Sequence, residues 1–279
     1  MEVRPVFQPG LTYRFTNRTE IQMQFPARGS REAVIEQQAR FDAGVRKDGK
    51  GGIALKGVTE RLKVDLKSWQ ESINYDSLQA EDRKSRLGQH LNQSLTQWID
   101  IKINRENRLV SAEVGGREAT TSPLKGFPRI GTDELRQIVV IALQGMPEKK
   151  VRPGERWSIQ GGHRLEQGGE MTFDIICRYR GEVEFEQNRF LQIDLTGHVS
   201  GGVAIPVEGE DQPPGPRMDF HIPSLTGRIL FDPLERMIRL SEQTVNMVVE
   251  LPAAPGEEPM RVPVKQRSVL NLLHIVPTP

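Results

Sequence analysis

The side chains that could carry chemistry are few and scattered. Five histidines, His90, His163, His198, His221 and His274, stand far apart, and none has a second histidine at metal-ligand spacing. Each reads as structural or solvated rather than as a ligand or a base. Glu182, Glu184 and Glu186 alternate with Val183 and Phe185. Three carboxylates in that pattern could hold a cation or form an acid–base pair. The solvated face of a half-buried strand accounts for the same pattern more simply. Cys177 is the only cysteine, so no intramolecular disulfide can form. It shares parity with Phe173, Ile175 and Tyr179 and has no basic neighbour in sequence, which marks a small buried hydrophobe rather than a reactive thiol.

The motifs that organise known chemistries are missing: no nucleophile elbow, no P-loop, no dinucleotide fingerprint, no H-E-x-x-H and no paired C-x-x-C. No catalytic residue, metal site or cofactor is therefore assigned. Gly161-Gly162, Gly168-Gly169 and Gly201-Gly202 read as turns or bulges, because no helix starts after them to cradle a phosphate. Basic residues cluster at Arg46-Lys47-Asp48-Gly49-Lys50 and Lys149-Lys150-Val151-Arg152, without interleaved aromatics that would stack bases. With 38 Lys and Arg against 37 Asp and Glu, the net charge is +1, so nucleic acid is not an expected partner. The longest apolar run, Ile138 to Leu143, is far short of the roughly 20 residues of a spanning helix, and no transmembrane segment is expected.

The elements that must position these residues are mostly strands. Period-two alternation dominates the 279 residues, the mark of strands with one buried face. Trp98 to Asn104 puts Ile99, Ile101 and Ile103 on one face and pairs with Leu109 to Val114 as a hairpin. Asp48-Gly49 turns the chain between Val45 and Ile53. Met171 to Phe185 and Phe190 to Val199 make a longer hairpin around Glu186-Gln187-Asn188. Arg228 to Phe231 leads through Asp232-Pro233-Leu234-Glu235 into Met237 to Leu251, where Val245, Met247, Val249 and Leu251 share a face. A loop from Pro252 to Pro259 leads into the last strand, Met260 to Ile275. Two helices are expected: residues 79–97, with Leu87, Leu91 and Leu95 as a stripe, and Asp133 to Gln144, with Thr132 as N-cap and Gly145 as stop. Pro206 to Pro223 reads as an extended loop.

Long hairpin-linked strands with few helices predict a mainly β (α+β) protein built on a large curled antiparallel sheet or half-barrel. The expected organisation is an N-terminal extension, 1–9, and one β-rich domain, 10–279, with possible halves 10–147 and 148–279.

Five segments in order carry a family resemblance. They are Phe7-Gln8-Pro9-Gly10-Leu11-Thr12-Tyr13, Asn74-Tyr75-Asp76-Ser77, Val110 to Gly116, Val151-Arg152-Pro153-Gly154-Glu155-Arg156-Trp157 and Thr226 to Asp232. Their order resembles a set of bacterial envelope proteins, often lipoproteins, with long β-strands and Tyr-Asp-Ser and Pro-Gly-x-x-Trp segments. The resemblance implies export, in the cell envelope or secreted, with a signal removed; the alternative location is the cytoplasm. The plan is also similar in architecture to the half-barrel of periplasmic lipoprotein carriers of the LolA/LolB type.

A sheet with more apolar surface than its helices can cover must curl on itself or bind something. The first expectation is thus a non-catalytic envelope protein holding a lipid or acyl chain, lined by Ile99, Ile101, Ile103, Phe173, Ile175, Tyr179, Val245, Met247 and Val249. The second is an interaction or scaffold module with a solid core and an envelope protein partner, working through a sheet edge or its Pro-rich loops. The third, a hydrolase, would need His163 or His198 beside a carboxylate in a cleft.

Overall fold

Alternating side chains build nearly everything in this chain. The computed structural model describes residues 3–26, 29–69, 72–115, 132–143, 146–147, 149–165, 169–204, 217–251 and 259–278. Its elements are β1 (Leu11–Phe25), β2 (Gly29–Val45), β3 (Ile53–Lys67), β4 (Ser72–Asp76), α1 (Ala80–Lys84), α2 (Arg86–Thr96), β5 (Trp98–Ile103), β6 (Leu109–Gly115), α3 (Thr132–Leu143), β7 (Arg156–Leu165), β8 (Gly169–Phe185), β9 (Asn188–Ala204), β10 (Arg217–Asp232), β11 (Met237–Leu251) and β12 (Met260–Pro277). The strands form one antiparallel 12-stranded sheet, curled but not closed into a barrel. Its order is β6-β5-β3-β2-β1-β12-β11-β10-β9-β8-β7, with β4 pairing β3 beside β5. The chain thus starts at the centre, steps outward to β6, crosses over with α3, and returns from the far edge to pair β12 with β1.

Bulges keep most of the buried apolar residues on one face of the sheet, with Phe190, Leu230 and Leu240 clustered on the other. In β3 the local parity separates Leu55, Gly57 and Thr59 from Leu62, Val64 and Leu66. Glu60 is skipped where the register shifts between Gln38 and Ala39 of β2, so both sets end on the same face. Glu60 meanwhile turns outward and receives Arg14 at 2.8 Å. Similar shifts fall at Leu273 of β12, Arg180 of β8 and Arg239 of β11. Each adds local twist, which curls a sheet of this length.

Two of the three glycine pairs depart from the expected turns or bulges. Gly161 and Gly162 lie inside β7 and Gly201 and Gly202 inside β9, while Gly169 opens β8 and Gly168 falls outside the described residues. The expected loop 206–223 is shorter at its C-terminal end, because Arg217 onward belongs to β10. Pro223 sits at a register shift, where no ladder donor is needed. The proline-rich centre 213–216, and 252–258 of the later loop, lie outside the described residues, as does Gly145.

The helix expected over 79–97 is two. Ser85 interrupts it and caps α2, its Oγ accepting the Gly88 N–H at 2.9 Å. Leu87, Leu91 and Leu95 of α2 cover Leu62, Val64, Leu66 and Tyr75. Helix α3 buries Leu135, Ile138, Val139 and Ala142, an i, i+3, i+4, i+7 stripe, against β3, β5 and one end of β11. Near the N-terminus, Val3 and Phe7 are also buried, at 1% and 0% exposure.

The Tyr-Asp-Ser segment is a clamp at this end of the sheet. Tyr75 donates its hydroxyl proton to Asn92 Oδ1 at 2.8 Å, tying β4 to α2. Ser77 Oγ accepts the Leu62 N–H at 2.9 Å. Asp76 takes Arg61 bidentately, at 2.6 and 3.2 Å, and also accepts the Leu78 N–H. Arg61 foremost, then the Leu78 amide, holds the Asp76 carboxyl below the usual carboxylate range against the opposing pull of burial. Replacing Asp76 by asparagine is expected to cost about 1.5–3 kcal/mol in urea unfolding at pH 7. Because the folded value is depressed, the contribution is present above about pH 4 and fades as pH falls through the folded value. The gap between wild type and D76N should narrow as pH falls below about 4; a gap that does not change with pH would contradict this account.

Candidate ligand-binding face

Cross-strand register places the nine apolar candidates together. One row of partners reads Ile159–Ile175–Gly197–Leu225–Val245–Gln266–Ile21–Ala33, across β7 to β12, β1 and β2. Phe173 precedes Ile175 on β8 and Tyr179 follows it beyond Cys177, and Met247 and Val249 follow Val245 on β11. On the opposite flank Ile99 is paired with Gly57 and Ile101 with Leu55. All nine therefore share one face of the sheet, the face on which α3 packs, called the concave face.

Burial separates them into two groups. Ile99, Ile101 and Ile103 are 2%, 1% and 0% exposed and pack with α3, Phe41 and Phe15. Tyr179 is buried too, in a second cluster with Leu191, Ile193 and Ile229. Phe173, Ile175, Val245, Met247 and Val249 are only half-buried. Among the described residues no helix contributes to that second cluster, which the sheet lines with its own side chains, Val3, Val151 and Met146.

The convex face has the opposite chemistry. Arg18 meets Glu20 at 2.9 Å and Glu36 at 3.7 Å. Arg267 reaches Glu20 and Glu242, and Arg228 meets Glu242 at 3.0 Å. Arg180 and Asp194 continue the series. These pairs form a ladder of alternating charge from β2 to β8. Exposed pairs contribute little each, but they keep this stretch of the face in water; at the β8–β9 hairpin end the same face carries a buried apolar cluster of Phe190, Leu230 and Leu240. A groove of about 820 Å³ near Gly44 and Ala54 carries four acidic and four basic residues, so it favours neither charge sign.

The remaining candidates find no common site. Glu182, Glu184 and Glu186 are all exposed. No group of three His, Cys, Asp or Glu among the described residues could hold a metal ion. His198 is exposed on the convex side of β9, His274 lies 3.0 Å from Arg14 Nη1, and the side chains of His90, His163 and His221 fall outside the described residues. No described helix is long and apolar enough to cross a membrane.

Cys177 is fully buried in the second cluster, and desolvation pushes its thiol up to about 12. At pH 8 only about one thiol in ten thousand would then be ionised in the native state. Native protein is expected to resist a disulfide exchange reagent that reacts at once in urea; a fast native reaction would show an accessible thiol. An acid with a raised folded pKa is deprotonated first in the unfolded chain. This one contribution to stability therefore falls as pH rises above about 8.5, by about 1.4 kcal/mol per pH unit.

The segments behind the family resemblance are junctions rather than reactive groups. In Pro153-Gly154-Glu155-Arg156-Trp157, Gly154 adopts φ +91° and donates its N–H to the Tyr179 carbonyl at 2.7 Å, which sets the entry to β7. In Gln8-Pro9-Gly10, the Gly10 N–H reaches the Ala43 carbonyl at 2.8 Å and the Tyr13 hydroxyl accepts from Gln8 N at 2.7 Å.

The chain is thus an open, curled antiparallel sheet whose one face carries the three larger apolar clusters and whose other face carries the ladder of ion pairs beside a smaller apolar cluster. No protein-family model matches the chain, and no curated protein does. Among solved structures it is similar to one titled for lipid–protein interactions in lipovitellin, at 14% identity and a TM-score of 0.49. The match covers 98% of this chain and 26% of that one, so the chain spans about a quarter of that protein's length.

Proposed function

We propose that this chain is a non-catalytic carrier or holder of a hydrophobic ligand, a lipid or acyl chain, in the bacterial cell envelope. The observation that carries the reading is the half-buried apolar lane of Phe173, Ile175, Val245, Met247 and Val249 on the concave face, to which no described helix brings its apolar stripe. A lane of this kind retains hydrocarbon at about 25 cal/mol for each Å² of apolar surface removed from water. The envelope location rests on the order of the Tyr-Asp-Ser and Pro-Gly-x-x-Trp segments. The test is native mass spectrometry of the chain purified from its host's envelope fraction, followed by solvent extraction. A discrete extra mass that extracts as lipid supports the reading. A clean apo mass that stays clean after incubation with a total lipid extract sinks it.

A second reading, partner docking by strand addition, has one observation of its own. Edge strand β6 has no further strand neighbour among the described residues, and its Val110 and Val114 are 53% and 59% exposed. Under this reading Val114→Lys abolishes a complex captured with wild-type protein and leaves bound lipid unchanged.

A further inference from the structure

The concave face is interrupted at its centre by polar residues with missing partners. Asn17 Oδ1, Gln37 Oε1 and Ser241 Oγ are buried and have no hydrogen-bond partner. Gln37 is 1% exposed and Ser241 2%. The three are not dispersed: Gln37 is paired with Asn17, Asn17 with Leu270, and Leu270 with Ser241, so they lie along one row of four central strands. The next row brings Thr19, Ser268 and Gln243 together as partners. Gln37 holds Thr59 with the other end of its amide, at 2.7 Å, which leaves its second amide atom facing the row.

Buried polar atoms are ordinarily paired, and three orphans on one row, Asn17 next to Gln37 and Ser241 beyond Leu270, point to a missing hydrogen-bonding group. Apart from Leu270, the two rows offer amides and hydroxyls and no charge. The charges of these strands, among them Arg18, Glu20, Glu36, Glu242 and Arg267, occupy the intervening positions and pair with one another on the convex face. An ionised head group would be buried here without a counter-charge, which is strongly unfavourable. A hydroxyl or ester, which is neutral, satisfies the same atoms without that penalty. Val245 follows Gln243 by two residues on β11, about 7 Å along the strand, so the apolar lane begins where the patch ends.

We propose that the ligand is a neutral amphiphile, with an uncharged glyceride-like or alcohol head on the Asn17–Gln37–Ser241 patch and its hydrocarbon along the Val245–Leu225–Ile175 lane. The inference rests on the hydrophobic-ligand reading above and narrows it to a head-group class. Monooleoylglycerol and oleate share one chain and differ in head charge at pH 8, so their binding to delipidated full-length chain, measured by equilibrium dialysis, separates the two ideas. Monooleoylglycerol is expected to bind at least tenfold more tightly than oleate. Equal binding, or tighter oleate, overturns the neutral-head assignment and leaves the hydrophobic-ligand reading standing. Binding of neither overturns both. In the variant carrying Asn17→Leu and Ser241→Ala, the preference for monooleoylglycerol should fall below threefold with oleate affinity unchanged. If that variant fails to fold, Gln243→Leu, at a half-buried position, serves the same purpose. An undiminished preference in a folded variant would overturn the placement of the head group.

Discussion

Replacing Phe41 by alanine is expected to destabilise the fold by about 3–5 kcal/mol, read as a shift in the urea midpoint. Phe41 is fully buried on β2, with its ring edge-on to Phe15 at 6.0 Å between centroids. Gly57, on the neighbouring strand, is what makes room for it. A Cβ at Gly57 would stand 2.5 Å from Phe41 Cε1 and 2.9 Å from Ile99 Cγ2. Gly57→Val alone should therefore cost about 1–3 kcal/mol by overpacking. Combined with Phe41→Ala, the same valine enters the space the ring vacated, and the double variant should be more stable than the sum of the singles by at least about 1 kcal/mol. Strict additivity would mean that the two positions do not share the space the structure assigns them. Arg18→Ala, which removes an exposed ion pair, should move stability by less than about 0.5 kcal/mol and serves as the control.

Met247→Lys is expected to reduce lipid retention by at least tenfold. Met247 lies in the half-buried lane beside Val245 and opposite Val264, away from the α3 stripe. An ammonium placed there must either hold water in the lane or be buried unpaired, and both outcomes exclude hydrocarbon. Because the residue is only half-buried, the protein should remain folded, with near-ultraviolet circular dichroism unchanged. Gln22→Lys adds the same charge on the exposed convex side of β1 and should leave retention as it was. If both variants retain lipid equally, the hydrocarbon does not lie along β11.

The contrast between Ile101 and Met247 shows how far local pattern reaches. Both belong to period-two apolar sets, Ile99–Ile101–Ile103 and Val245–Met247–Val249, and both lie on the same face of the sheet. Only the crossover after β6 decides that α3 covers the β5 isoleucines, while no described helix covers the second half of β11 in the same way. Alternation is a property of neighbouring residues and can be read along the chain. The covering of a strand depends on a segment dozens of residues away, and nothing local to β5 or β11 encodes which of them receives it.

The orphaned atoms of Asn17, Gln37 and Ser241 had no legible signal for the same reason. A serine or an amide in an alternating strand looks like a solvated position until its register partners are known. Local pattern was enough for the strand-rich class, most of the hairpins, the apolar stripes of α2 and α3, and the parity that aims nine apolar candidates at one face. It also marked Cys177 as a buried hydrophobe. Folding set the strand order, with β1 meeting β12 so that Arg14 touches His274, 260 residues away. It decided too the bulges that flip parity at Glu60 and Arg180, and the polar patch between the two clusters. Period-two alternation arises from the geometry of a single strand, whereas register, cover and partner satisfaction arise from contacts between distant segments, which only the folded chain brings together.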